Sequence, residues 1–166
     1  HRAMPRFAAN LSFLYNELPM LARFAAAAED GFRGVEMLFP YEFPATTLAA
    51  QARAQGLQVV LCNVPPGDWS LGQRGFAAVP GQEAQFRDSF LRGADLANRL
   101  GAARLHVMAG VAKGPQAEQV FVENLAWAAA QAPDQRLVIE PLNPDDMPGY
   151  FLNDFDQAAR ILDDLG

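Results

Sequence analysis

Short apolar runs alternate with longer helical stretches five times along this chain, and that alternation limits the fold more than any other feature. Residues 7–12, 34–39, 58–64, 104–109 and 137–140 read as strands, being short, apolar and bounded by turn residues. Residues 17–29, 44–55, 83–100 and 115–132, and a last stretch opening at Asn153, read as helices. In the first helix Leu18, Leu21, Phe24, Ala25 and Ala28 share one face. Asn16 is its expected N-cap, with Pro19 in the first turn. Asn153 is expected to cap the last helix, with Asp154 and Asp156 favourably placed in its first turn.

Five strand–helix units in series imply a parallel sheet with helical crossovers. Two α/β folds compete. A five-stranded doubly wound parallel sheet is complete at 166 residues. A (β/α)8 TIM barrel takes eight units and about 250 residues, so this chain would be a partial barrel of five units. Periodicity alone does not choose between them. A doubly wound nucleotide site places a glycine-rich turn after the first strand, and Ser12-Phe13-Leu14-Tyr15-Asn16 contains no glycine. That argues against a nucleotide or flavin ligand.

Composition removes several function classes. Apolar residues make up 51% of the chain and charged residues 19%, which supplies a packed core and excludes disorder. The length points to one domain. The net charge of −6 repels a phosphate backbone, so no nucleic-acid partner is expected. No apolar run is long enough for a transmembrane helix, so no membrane partner is expected either. His1-Arg2-Ala3 before Met4 are expected to be a tag remnant, leaving 4–166 as the domain. With no signal peptide visible and Cys62 as the single cysteine, the expected compartment is the cytoplasm.

The informative polar residues fall at strand C-terminal ends or just beyond, where both folds bind ligands. Asn10, Glu36, Asn63, His106 and Glu140 each interrupt an apolar strand. Glu140 is the sharpest, ending Leu137-Val138-Ile139-Glu140 before Pro141-Leu142-Asn143-Pro144. A carboxylate there can hold a divalent cation or move a proton, or it can be a rim residue paired with a cation. Glu36 can bond a substrate hydroxyl or hold a neighbouring loop through its amides. His106 reads more readily as a satisfied core histidine than as a ligand, and Cys62 as an apolar filler. The long loop 65–81 carries Trp69, an apolar wall, and Arg74, whose fork suits a carboxylate. The plainer reading of Arg74 is an ion pair with Asp68.

These residues bring a known family into view. Ala9-Asn10-Leu11-Ser12, Gly31-Phe32-Arg33-Gly34-Val35-Glu36, Phe39-Pro40-Tyr41, Asn63-Val64-Pro65-Pro66-Gly67-Asp68-Trp69, Arg74-Gly75, Pro80-Gly81 and Ile139-Glu140-Pro141-Leu142-Asn143 resemble hydroxypyruvate isomerases, in order and across residues 4–166. Those proteins are xylose-isomerase-like TIM barrels. The resemblance implies the first five of eight βα units. It also implies an aldose–ketose isomerase that interconverts hydroxypyruvate and tartronate semialdehyde through an enediolate, on a small anionic hydroxy-oxo acid. Glu140 would be one of two acid–base glutamates and a ligand to a divalent cation, Mg or Mn. The other ligands and the second glutamate would belong to strands six to eight, so the metal site in this chain would be incomplete. Arg74, Trp69, Asn63, Glu36 and His106 are the candidate substrate-binding residues. Cys62 stands where some relatives are expected to have histidine. The alternatives are a related sugar or four-carbon oxo-acid isomerase or epimerase, or an inert half-barrel acting as a binding or assembly module. Unpaired edges at strands one and five lead to an expectation of self-association.

Overall fold

A computed structural model describes residues 7–166. The expected tag remnant at residues 1–3 and the expected start at Met4 lie outside the described residues. Five strands and five helices follow one another: β1 (Ala8–Asn10), α1 (Met20–Glu29), β2 (Gly34–Met37), α2 (Ala45–Ala54), β3 (Gln58–Asn63), α3 (Glu83–Leu100), β4 (Arg104–His106), α4 (Pro115–Gln131), β5 (Arg136–Val138) and α5 (Phe155–Leu165). The strands form one sheet in the order β1-β2-β3-β4-β5. Chain order and sheet order are therefore the same. A doubly wound sheet reverses direction at a switch point, and none exists here, so that alternative is set aside. The sequential order is the order of a βα barrel wall.

Contacts divide the chain into two compact units. The first runs to Cys62 and includes Asp95–Arg104. In it β1 pairs parallel with β2, placing Asn10 opposite Glu36, and β2 pairs parallel with β3. Leu11, Phe24, Val35, Met37 and Leu48 are fully buried. The expected Asn16 cap is not used. Tyr15 adopts φ 60, a left-handed conformation that interrupts the helical run. α1 then starts at Met20, with Pro19 at the N-cap and no side-chain cap. Arg23 reaches back from α1 to the carbonyls of Leu11, at 2.6 Å, and Leu18, at 3.0 Å, and ties down the loop that follows β1.

The second unit holds Asn63–Ala94 and Leu105–Gly166. Its core packs Phe86 and Phe90 of α3 against Trp127 of α4, at ring separations of 6.2 and 5.8 Å. Phe121 of α4 meets Phe151 edge-on at 5.8 Å. The α5 N-cap is Asp154, not Asn153: its carboxylate accepts the amides of Asp156 at 2.7 Å and Gln157 at 3.4 Å. Gln157 reaches back to the Asn153 amide at 3.2 Å, a reciprocal arrangement that suits the shorter carboxylate at the cap itself. Among the described residues no helix is long and apolar enough to cross a membrane.

Candidate functional site

The strands are shorter than the apolar runs that announce them. β2 stops at Met37, β4 at His106 and β5 at Val138. Asn63 closes β3 and His106 closes β4, and the Val64 amide donates to the His106 carbonyl at 2.9 Å. Asn63 and His106 thus sit on neighbouring strand ends, and both are buried.

His106 departs from the satisfied core histidine. Its Nε2 is buried and has no hydrogen-bond partner among the described residues. Burial pulls the imidazole down to about 4, so the ring is neutral at neutral pH. Cys62 behaves as the filler it was read to be: burial pushes its thiol up to about 12, which leaves no thiolate.

Glu140 lies two residues past the end of β5 and is exposed. The expectation that it ends the strand is corrected. The Val107 amide donates to the Val138 carbonyl, and Pro141, with no N–H of its own, cannot continue a ladder. Glu140 therefore stands in water beyond the sheet. Glu36 is half-buried within β2, in register with Asn10.

The loop after β3 is built around a short 3₁₀ turn at Trp69–Leu71. Arg74 lies over the Trp69 ring, its guanidinium carbon 3.6 Å from the centroid. One of its nitrogens, Nη1, donates to the carbonyls of Trp69 at 2.9 Å and Gln73 at 2.8 Å. The Asp68–Arg74 ion pair does not form. Asp68 instead accepts the Ser70 hydroxyl and amide, and that hydroxyl holds its carboxyl below the usual range. Stacking and Nη1 orient the guanidinium, and its remaining N–H groups make no hydrogen bond among the described residues. Lys113, the other cation near a strand end, is exposed in the loop before α4.

The loop is fastened at its far end. The amides of Ala77 and Ala78 donate to the carbonyls of Met108, at 3.4 Å, and Ala109, at 2.7 Å. Gly75 has φ +93, and a Cβ there would lie 2.3 Å from the Met108 carbonyl oxygen, so no other residue fits this crossing. Asn124 of α4 bonds the Ala77 carbonyl at 2.8 Å from inside the core.

Sequence reasoning missed Tyr150. Its hydroxyl accepts the Ala109 amide at 2.7 Å, and the ring is 1% exposed. The available signal was a lone tyrosine within Pro148-Gly149-Tyr150-Phe151-Leu152, an apolar run too short for an element of its own. No three His, Cys, Asp or Glu side chains come together to hold a metal ion among the described residues. Glu140 is the one proposed ligand here, and this donor set does not by itself fit a divalent cation.

Comparison with known proteins agrees with the fold. Residues 24–166 match the family model for the xylose isomerase-like TIM barrel, and the chain belongs to that family. It is 51% identical to a 2-oxo-tetronate isomerase of Cupriavidus necator, over 98% of this chain and 65% of that protein. It is 41% identical to a hydroxypyruvate isomerase of Escherichia coli, over 98% of this chain and 66% of that one. A crystal structure described as AP endonuclease, family 2 from Brucella melitensis superposes with a TM-score of 0.95 at 43% identity, covering 98% of this chain and 65% of the other. The resemblance to hydroxypyruvate isomerases read from the motifs is thus found across nearly the whole chain. The chain spans less than two thirds of the length of these relatives.

Proposed function

We propose that this chain is the N-terminal five-unit part, residues 4–166, of an eight-unit barrel that isomerises a short hydroxy-oxo acid. The carrying observation is that one unit holds both an exposed carboxylate just past a strand end and a stacked, half-buried arginine on a fastened loop. The names of the relatives in Cupriavidus necator and Escherichia coli support an isomerase reading.

The chemistry is a proton shift between adjacent carbons. In hydroxypyruvate a proton leaves C3, next to the C2 carbonyl, and an enediolate forms across C2 and C3. Reprotonation at C2, with a proton passing from the C3 oxygen to the C2 oxygen, gives tartronate semialdehyde. A carboxylate base and a carboxylic acid perform these transfers, and Glu140 supplies one of them. Arg74 binds the substrate carboxylate through the N–H groups not used on its own loop. Asn63 and His106, which close neighbouring strands, Trp69 as an apolar wall and Glu36 for a substrate hydroxyl are the candidate binding residues. If the longer protein binds a divalent cation, Glu140 would be one of its ligands, and the ion would supply positive charge to a developing oxyanion.

The relative with the higher identity of the two carries the name of a four-carbon acid, which favours 2-oxo-tetronate as the second reading of the substrate. The same exchange of an oxo group and a hydroxyl on neighbouring carbons applies. In the full-length protein, Glu140→Gln is expected to lower turnover about 10²–10⁴-fold on either acid. Turnover at the wild-type rate would reduce Glu140 to a rim residue. The 166-residue chain alone is expected to be inactive and to self-associate, since Phe155 and Leu162 of α5 are exposed and β5 is an edge strand. A monodisperse monomer in light scattering would contradict the association.

A further inference from the structure

We propose that Tyr150 is a positioning residue whose hydroxyl clamps the loop after Glu140 to the loop carrying Arg74, through the peptide of Ala109. The inference rests on the acid–base reading above, which gives Glu140 and Arg74 their roles.

The backbone at 108–110 is a junction used from two sides. On one side it receives the Ala77 and Ala78 amides, which close the Arg74 loop. On the other it meets the return limb of the segment that follows Glu140. There the Phe151 amide donates to the Gly110 carbonyl at 2.8 Å, the Ala112 amide donates to the Gly149 carbonyl at 3.3 Å, and Val111 bridges antiparallel to Tyr150. The Leu142 amide, two residues after Glu140, donates to the Leu152 carbonyl at 2.9 Å. Residues 142–152 are thus a closed loop, with Glu140 at its root and Tyr150 on its return limb.

Ala109 joins the two sides within a single residue. Its N–H donates to the Tyr150 hydroxyl at 2.7 Å, and its carbonyl accepts the Ala78 amide at 2.7 Å. Ala109 is fully buried, so water cannot replace the tyrosine. The clamp has no slack on the arginine side, because Gly75, next to Arg74, already touches Met108. It has little on the other, because Phe151 is seated edge-on against Phe121. Filling this space needs only an aromatic ring; satisfying the Ala109 amide needs the oxygen. Burial pushes the phenol far above its ordinary range, and the Glu140 carboxylate adds to that rise, which places the two groups within each other's field. The spacing between the group that binds the carboxylate and the group that moves the proton would then pass through one hydroxyl.

Tyr150→Phe in the full-length protein keeps the ring and removes only that oxygen. Amide hydrogen exchange should rise about 10-fold together in segments 76–80, 107–111 and 141–152. On hydroxypyruvate or 2-oxo-tetronate kcat should fall about 10–100-fold, with KM changing less than about 3-fold, since the anchor stays while the base is misplaced. Faster exchange confined to 107–111, with 76–80 and 141–152 unchanged, would overturn the clamp. So would a kcat equal to wild type. If Glu140→Gln retained full turnover, the acid–base reading would fall, and the exchange pattern would still decide whether Tyr150 joins the two loops.

Discussion

β4 and β5 are both short and apolar, yet they end in opposite environments. Leu105, Val107, Met108 and Ala109 are buried to 5% exposure or less, whereas Leu137, Val138 and Ile139 are only half-buried and Glu140 is exposed. Residue type does not explain this, since the side chains are equally apolar. Neighbours do. β4 is flanked by β3 and β5 and covered by the Ala77–Ala78 limb, while β5 is last in the sheet order. A strand end covered on every side presents a desolvated, neutral group, His106. A strand end at the edge presents an exposed carboxylate, Glu140.

The comparison breaks first at Glu140. If the β5 end is chemical and not structural, Glu140→Gln should carry the large turnover loss given above while leaving the unfolding midpoint of the full-length protein unchanged. An exposed side chain without protein bonds contributes little to stability. A lowered midpoint alongside retained turnover would mean that the two strand ends had been assigned the wrong way round.

His106 tests the other end. Its pKa is about 4 folded and near 6.5 unfolded, so the unfolded chain binds the extra proton first. The stabilisation from keeping it neutral is complete above pH 6.5 and is lost as pH falls through 4. Between pH 7 and 4 the wild type should lose about 3 kcal/mol more unfolding free energy than His106→Asn, read by urea titration at each pH. Parallel pH profiles for the two proteins would show that the imidazole is not buried neutral.

Arg74 is expected to matter somewhat less. Its removal should cost about 1.5–3 kcal/mol of charge-assisted binding, or about 10–150-fold in kcat/KM on the acid substrate. An uncharged analogue should lose far less with Arg74→Ala. An equal fall on both would mean that the guanidinium, already bonded to Trp69 and Gln73, only holds its loop.

Much of the fold was legible because β-α alternation and glycine punctuation are local signals. The five units and the extent of α3 follow from them directly. Strand ends were over-read because apolarity continues past the last inter-strand bond, from the Val107 amide to Val138: Met108 and Ala109 are met instead by the Ala77–Ala78 limb of a crossing loop. The barrel order needed either the resemblance or the sheet itself, since periodicity carries no information about which strands pair. At the site, Glu140 and Arg74 stood out as charges at strand ends. Tyr150 did not, because its role depends on an amide 41 residues away in sequence. The Asp68–Arg74 pairing failed for a local reason: Ser70 is closer to Asp68 and satisfies it first.

The smallest expected effect lies where the β5 return segment enters α5. This segment is held by directed hydrogen bonds at its end. Asp154 accepts two amides of the first turn, and its charge faces the positive end of the helix. Asn153 contributes one bond from its amide nitrogen to the Tyr150 carbonyl, at 3.1 Å. Asp154→Ala should therefore destabilise the protein by about 1 kcal/mol, and Asn153→Ala by less, in thermal unfolding. Because an ionised carboxylate makes the cap, the gap between Asp154→Asn and wild type should narrow as salt rises and screens the helix dipole. If Asn153→Ala proved the costlier change, α5 would start one residue earlier than the hydrogen bonds place it. The return limb carrying Tyr150 would then be anchored through the asparagine instead of the aspartate.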